Sequence, residues 1–422
     1  MKKHLRLIAL LTAVCLVLSA GIFFAGRKIL KSRTVIETRN YKVSEEMLNY
    51  CTGIQKEEYV SHYTELYGEE YLQTVGLNPE KSLKSQKSSY GGTWFEYFYS
   101  LAIEDIKEIL PLCEAAAENG IVLSEDETEH LKSQAKENRD YSTQTVFSVL
   151  KLKATADKYK QSFFDSLSYS ENDYDEFYNE NKELFDCVDY KYIEIKADTD
   201  GYSENADASV NDAKQKAEKL AERIKTVGFE NAVREYSSEN NYEVVTVKEY
   251  AFEERTQFAN WAFDGERKDG DVTIFEGNRQ YSVYYLEKAP YKLDYSVRQV
   301  QMISFSLNTD PDSAVTKIYS LIDAWRNEEN TAENFTALSE DVSTKPAYKA
   351  EISTNLYDWV YSDKREIGDY ELIEDNSNLS LVRYSGESGS YFRLKAYEQM
   401  SLEDYNEALE SYSEKYEMKV KE

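Results

Sequence analysis

The side chains that most often hold metal ions or act as nucleophiles are few and widely spaced in this 422-residue chain. The histidines and cysteines are His4, His62, His130, Cys15, Cys51, Cys113 and Cys187. No two cysteines form a C-x-x-C pair, so the spacing fits neither a zinc site nor a disulfide framework. We expect the last three cysteines to be buried free thiols, with a single bridge between two of them as the alternative.

Sequence motifs of known catalytic chemistry are also missing. The chain contains no G-x-S-x-G, H-E-x-x-H or P-loop pattern, the signatures of hydrolases, zinc proteases and nucleotide-binding enzymes. Its carboxylate runs, such as Glu125-Asp126-Glu127, stand where helices or loops begin, which is typical of solvated surface. We therefore expect neither a metal ion nor a small-molecule cofactor.

Two tryptophans are followed by the same pattern at the same spacing. A Gly-Asp pair follows nine residues after each tryptophan, and a serine inside a strand-like run follows 21 residues after it: Trp261, Gly270, Asp271 and Ser282 in one copy, Trp359, Gly368, Asp369 and Ser380 in the other. The segments FENAVREYS and FTALSEDVS, which precede the tryptophans, also have equal length. A repeat of about 100 residues is too long for a solenoid unit and predicts a duplicated domain.

The elements around these residues follow from hydrophobic periodicity. Residues 34–186 are predicted to be mostly helical, with capping boxes at Thr93/Glu96 and Ser124/Glu127. Strand-like alternation then appears at 188–196 and 280–288, and again at 297–306 and 379–385. An amphipathic helical pattern lies between the two strands of each pair. Residues 401–422 predict a helix followed by a short strand.

The N-terminal segment from Leu5 to Gly26 is apolar apart from Arg6, and about 20 such residues cross a bilayer as a helix. We favour an uncleaved anchor over a cleaved signal peptide, because bulky Leu18 precedes the best cleavage point and apolar residues continue to Ala25. The first 33 residues carry seven positive charges and no negative one. The whole chain has a net charge of −28, so the body after residue 33 has a net charge of −35. Such a body repels phosphate backbones and excludes nucleic acid as a partner.

The chain resembles the parvulin-type (PpiC) peptidyl-prolyl isomerases and the PrsA/SurA foldases that contain them. YTELYGEEYLQTVGL and the run TWFEYFYSLAIEDIKEILPLCEAAAENGIVLSEDE are similar to the N-terminal chaperone domain of those foldases. The order strand, helix, "F…A…S", "WAF…GD", strand is similar to the parvulin fold. The resemblance implies an α+β protein with an anchor at 1–33, a helical SurA N-like domain at 34–186, parvulin-like modules at 187–294 and 295–400, and a C-terminal helix and strand at 401–422.

Parvulins carry one histidine in the first strand and another in the last, packed together under the prolyl pocket. By the resemblance these positions fall on Tyr192 and Ser282 in the first module, and on Gln301 and Ser380 in the second. None of these four residues is a histidine, and no histidine lies within either module.

The resemblance also implies a peptide-binding groove in the first module. Its lining would be Tyr192, Trp261, Phe263 and Ser282. Ordinary core packing of the same aromatic residues, and of Trp359, is the competing interpretation.

The implied function is that of a chaperone, a holdase or foldase for secreted proteins that is anchored in the cell membrane with its body on the extracytoplasmic side. Its partners would be unfolded client polypeptides and the membrane. Two alternatives stay open: an active prolyl isomerase with non-standard pocket residues, and an envelope scaffold that recruits one partner.

The predicted topology can be tested with protease added to intact, wall-stripped cells. Because the body follows an N-terminal anchor and is expected outside the membrane, it should be digested while a cytoplasmic control protein stays intact. Full protection of residues 34–422 in cells that digest a known surface protein would contradict this topology.

Overall fold

The computed structural model describes residues 33–197, 206–237, 243–253, 256–308, 311–375 and 377–421. The apolar segment predicted to be an anchor lies outside these ranges. Among the helices within them, none is long and apolar enough to span a membrane. The described residues form helices and three small antiparallel sheets, which confirms the predicted α+β class.

The helical domain is formed mainly by residues 34–185. Its elements are β1 (Thr34–Glu37), β2 (Lys42–Ser44), α1 (Glu45–Tyr67), α2 (Glu69–Thr74), a 3₁₀ turn (Leu83–Ser85), α3 (Trp94–Glu118), α4 (Glu125–Glu137), α5 (Thr143–Ser166), α6 (Glu171–Glu180) and α7 (Lys182–Phe185). Both predicted capping boxes are present, at Thr93/Glu96 and Ser124/Glu127. Each satisfies two backbone N–H groups that a helix N-terminus otherwise leaves unpaired.

A buried carboxylate fastens the β1–β2 turn to the central helix α3. Glu114 accepts hydrogen bonds from Thr38 Oγ1 at 2.6 Å, from the Asn40 backbone N–H at 2.7 Å and from Asn40 Nδ2 at 2.6 Å. Burying a carboxylate is costly unless several donors satisfy it. These three bonds therefore hold the beginning of the described chain against the helical core.

Two sheet-containing units follow, which we name module 1 and module 2. Module 1 consists of β3 (Asp186–Lys196), α8 (Ala206–Val227), α9 (Phe229–Ser237), β4 (Val244–Ala251), α10 (Gln257–Ala262), β5 (Val272–Gly277) and β6 (Gln280–Lys292). Module 2 consists of β7 (Ser296–Ser306), α11 (Pro311–Trp325), α12 (Ala332–Thr336), β8 (Ser343–Ala347), α13 (Thr354–Val360), β9 (Tyr370–Glu374) and β10 (Asn378–Ser390).

The two modules have the same topology, as the repeated spacing predicts. Their sheets have the orders β4-β3-β6-β5 and β8-β7-β10-β9, and every neighbouring pair is antiparallel. In both modules a strand is followed by two helices, a strand, a helix and two strands. Each sheet has one face covered by its long helix and the other covered in part by the short helix before the last hairpin.

The repeated Gly-Asp pair makes the same contacts in both modules. Gly270 donates its backbone N–H to Leu286 O at 2.8 Å, and Leu286 N–H returns a bond to Asp271 O at 2.9 Å. In module 2 the same exchange joins the Gly368-Asp369 pair to Tyr384, at 2.9 and 2.8 Å. Both glycines have a positive φ, 92° and 97°, which only glycine adopts without strain. The repeated Gly-Asp pair therefore forms the same turn in both modules.

The C-terminal helix returns to the helical domain. It was predicted to begin at residue 401, but α14 spans Tyr391–Lys415 and is capped at its start by the Ser390 side chain. Residues 391–400, which were predicted to belong to the second module, are part of this helix. The predicted short strand is present as β11 (Lys419–Val420), which pairs with β1.

α14 packs against the core of the helical domain through aromatic side chains. Tyr405 is 9% exposed and contacts the rings of Phe163 and Phe164, with centroids 5.7 and 5.3 Å away. The hydroxyl groups of Tyr412 and Tyr159 are 2.6 Å apart. The C-terminal elements α14 and β11 thus complete the helical domain, which begins with β1.

The three cysteines within the described ranges are buried and unpaired, as predicted. Burial raises the pKa of the Cys51 and Cys113 thiols to about 12 and that of Cys187 to about 11. These thiols are therefore protonated at neutral pH and act as small apolar groups.

The docking of α14 predicts a large loss of stability on Tyr405→Ala. Removing a buried aromatic ring costs about 3–5 kcal/mol, and the loss should appear as a lower denaturant midpoint for the helical circular dichroism signal. Leu402→Ala is the matched control, because Leu402 on the same helix is 50% exposed and its removal should change stability by less than about 0.5 kcal/mol. Equal midpoints for the two variants would contradict the docking.

Candidate peptide-binding face

The sheet of module 1 has two different faces because its side chains alternate along each strand. Ile193 and Ile195 of β3 and Val283 of β6 pack against α8 and form one buried core. The residues between them point to the opposite side. There, with α10, they form a cluster that we name the aromatic face: Tyr190, Tyr192, Tyr250, Phe258, Trp261, Phe263, Phe275 and Tyr284.

The rings of the aromatic face form a continuous layer. Tyr192 stacks on Tyr284, with centroids 5.0 Å apart and planes 18° apart. Tyr284 in turn stacks on Phe258 at 4.6 Å, and Phe258 contacts Tyr190 at 4.2 Å. Phe258 lies beneath the layer and is buried, whereas Tyr192 and Tyr284 are half-buried. The layer therefore rests on a packed base and exposes part of several rings.

The first-strand and last-strand positions taken from the parvulin resemblance lie on this same face but do not face each other. Tyr192 pairs directly with Tyr284, whereas Ser282 pairs with Glu194 on one side and Phe275 on the other. Ser282 is buried, with 8% of its surface exposed. The ring that faces Tyr192 across the strands is thus a second tyrosine.

Trp261 and Phe263, the other predicted lining residues, also belong to the aromatic face and are half-buried. The Arg267 guanidinium lies over the Trp261 ring, 5.2 Å from its centroid, and forms ion pairs with Asp264 and Asp271. The hydrogen bonds from Arg267 lower the pKa of Asp264 below its usual range. Arg267 thus covers one side of the Trp261 indole, and the indole also belongs to the aromatic face.

Three central rings of this face, those of Tyr190, Phe258 and Tyr284, are not among the predicted lining residues. The signal for Tyr284 and Tyr190 was present, because each lies two residues from a predicted lining position and so projects to the same side of its strand. Phe258 had no such signal, since α10 is too short for helical periodicity to show which residue faces the sheet.

The second-module position predicted to match Tyr192 is wrong by one residue. Ser380 pairs with Ser304, as Ser282 pairs with Glu194, so the residue of β7 that corresponds to Tyr192 is Met302. Gln301 points to the other face, where its Nε2 donates to Ala332 O and Thr336 Oγ1, both at 2.9 Å. A slip of one residue moves a side chain to the opposite face of a sheet. Gln301 and Ser380 therefore cannot line one pocket.

The corresponding face of module 2 has aliphatic residues at four of these positions, and three of the four are buried, whereas Met302 is half-buried like Tyr192. The residues at the positions of Tyr192, Phe258, Phe275 and Tyr284 are Met302, Leu356, Ile373 and Val382. Trp359 keeps the place of Trp261 beneath an arginine, Arg365, but is only 8% exposed. The partly exposed aromatic layer is therefore a feature of module 1 and not of the shared fold.

The aromatic face offers binding surface rather than acid–base chemistry. Burial raises the pKa of Tyr190 to about 12 and also raises that of Tyr284, so both hydroxyl groups stay protonated at neutral pH. Across the described parts of the chain, no group of three or more His, Cys, Asp or Glu side chains is placed to hold a metal ion. A face of this kind binds through apolar contact and single hydrogen bonds.

Comparison with known protein families finds no family that matches the chain, and comparison with curated proteins finds no significant match.

The four tryptophans provide a direct test of this arrangement. Trp94, Trp325 and Trp359 are 0%, 2% and 8% exposed, whereas Trp261 is half-buried. Acrylamide quenches indole fluorescence by collision, so Trp261→Phe should remove most of the quenching of the native protein. Trp359→Phe, the substitution at the equivalent place in module 2, should leave it nearly unchanged. Undiminished quenching in the Trp261→Phe variant would show that the face is covered.

Proposed function

We propose that the protein is a membrane-anchored extracytoplasmic chaperone that holds unfolded segments of secreted proteins on the aromatic face of module 1. The observation that carries this proposal is the half-buried ring layer around Tyr192, Tyr284 and Trp261, whose counterparts in module 2 are Met302, Val382 and the buried Trp359. Contiguous apolar surface that stays accessible on a soluble protein is a common mark of a binding site.

The topology of the two modules supports the proposed parvulin-like character. Both modules contain the order of strand, helices and closing strand on which the parvulin resemblance was based. In the PrsA/SurA foldases that this chain resembles, segments distant in sequence complete the chaperone domain, and here α14 and β11 complete the helical domain from the far end of the sequence. On this proposal residues 5–26 form the anchor and the acidic body lies outside the membrane.

The same geometry favours holding a client over isomerising it. Catalysis of prolyl isomerisation must lower a barrier of about 18–20 kcal/mol, which requires a site that binds the twisted amide better than either planar form. Here the two positions that the parvulin resemblance gives to histidines hold Tyr192, which stacks on Tyr284, and the buried Ser282, so neither supplies an imidazole ring. Holding a client needs only exposed apolar surface and rapid release.

The unfolded client is proposed to bind as an extended segment. Extended segments present apolar side chains and backbone groups to a face of aromatic rings, which accepts varied sequences because each ring is large and each tyrosine ends in a hydroxyl group. The strongly acidic body keeps the protein and its bound client soluble through charge repulsion.

The proposal is tested by light scattering from an aggregating client, beside a proline-limited refolding assay on the same preparation. The full-length protein in detergent should suppress aggregation without appreciable acceleration of refolding. The double variant Tyr192→Ser/Trp261→Ser should bind a client peptide roughly tenfold more weakly, since each aromatic contact contributes about 0.5–1.5 kcal/mol.

Tyr319→Ser is the matched control, because Tyr319 is an exposed tyrosine on α11 outside the aromatic face. It should suppress aggregation as well as the unchanged protein does. A clear acceleration of refolding that disappears on Tyr192→Ala would overturn the proposal in favour of an active isomerase. Tight binding to one envelope protein, without suppression of aggregation, would favour the scaffold.

A further inference from the structure

One carboxylate projects from the aromatic face of module 1. Glu194 lies two residues after Tyr192 on β3 and pairs with Ser282 on β6, so its side chain shares the side of the sheet that carries the rings. It is exposed, whereas Ser282 beside it is buried. At the other edge of the face, Glu253 accepts a hydrogen bond from the Tyr250 hydroxyl at 3.2 Å. The layer of rings therefore has negative charge at two of its edges.

The cations near these carboxylates leave them largely uncompensated. Arg267, which lies over Trp261, is already paired with Asp264 and Asp271. Lys196 is 3.7 Å from Glu194, but this lysine side chain is 72% exposed and such surface pairs contribute little. Gln280 Nε2 donates to one Glu194 oxygen at 3.3 Å. A carboxylate accepts about four hydrogen bonds, so Glu194 retains capacity for a further donor.

Module 2 differs at this position as well as in its rings. The residue of β7 that corresponds to Glu194 is Ser304, and its hydroxyl lies 2.7 Å from the Ser380 hydroxyl. That pair is neutral, and each hydroxyl has the other as its partner. The exposed carboxylate therefore accompanies the aromatic layer in module 1 and is absent at the matching place where the layer is aliphatic.

We propose that the aromatic face selects extended polypeptide segments in which a basic residue, Lys or Arg, adjoins an apolar or aromatic residue, and that Glu194 is the residue that makes this selection. The apolar residue packs on the Tyr192–Tyr284 rings while the basic group reaches Glu194. The inference rests on the proposed function, since it names the client chemistry of the same face. The net charge of the body adds a long-range attraction for basic segments.

The experiment compares two labelled peptides with capped ends and identical apolar sequences, which differ only by Arg or Gln at one position next to a phenylalanine. Binding to the full-length protein in detergent is measured by fluorescence anisotropy at low ionic strength. The Arg peptide should bind about threefold more tightly than the Gln peptide, as expected for one exposed ion pair. At 1 M salt the two affinities should converge, because screening then acts within about 3 Å.

Two variants separate Glu194 from the general charge of the protein. Glu194→Gln should abolish the preference for the Arg peptide. Glu276→Gln makes the same change of charge on the opposite side of the same sheet, where Glu276 pairs with Tyr281, and should preserve the preference. An equal loss in both variants would overturn the assignment to Glu194, because the preference would then come from the overall field.

The remaining outcomes distinguish this inference from the proposed function. If both peptides bind, lose affinity on Tyr192→Ser/Trp261→Ser, and show no preference for Arg, the client selectivity is wrong while the binding face stands. If neither peptide binds, or if binding is unaffected by the double variant, the proposed function itself fails.

Discussion

The pairing of β3 with β6 is the constraint on which the site depends. In this register Tyr192 stands opposite Tyr284, and the intervening Ile193 stands opposite Val283. The alternation sends the aliphatic pair into the core under α8 and the aromatic pair to the other side, where α10 covers them only in part. A shift of one residue would bury the tyrosines under α8 and expose the aliphatic core.

The two modules show how one scaffold carries two different surfaces. The turn formed by Gly270-Asp271 and its counterpart Gly368-Asp369 makes equivalent backbone hydrogen bonds in both, and an arginine lies over the preceding tryptophan in both. These contacts hold the short helix and the last hairpin together and do not depend on what the outer face displays. Module 2 uses the same frame to bury most of the matching positions, with Met302 as a half-buried exception, which is the pattern expected of a structural unit. Module 1 keeps partly exposed rings, the pattern expected of a binding unit.

Much of the scaffold could be predicted from the sequence, because its signals are local. Capping residues such as Thr93 and Ser124 mark helix starts within four residues, and the equal spacing from each tryptophan to its Gly-Asp pair required no knowledge of distant contacts. The site was predictable only in part. The sequence correctly grouped three aromatic residues on one face: Tyr192, Trp261 and Phe263. It did not give the residue opposite Tyr192 or the face on which Gln301 lies, because both depend on strand register. Register is set by long-range pairing and is invisible to spacing within one strand.

The central claim is that an unfolded client lies on the aromatic face of module 1 and not on the matching face of module 2. Photo-crosslinking tests it most directly, with a photoreactive phenylalanine derivative introduced in turn at Tyr192 and at the corresponding residue Met302. The account predicts crosslinks from position 192 to an unfolded client and few from position 302. Equal crosslinking from both positions, or crosslinking from position 302 alone, would contradict it.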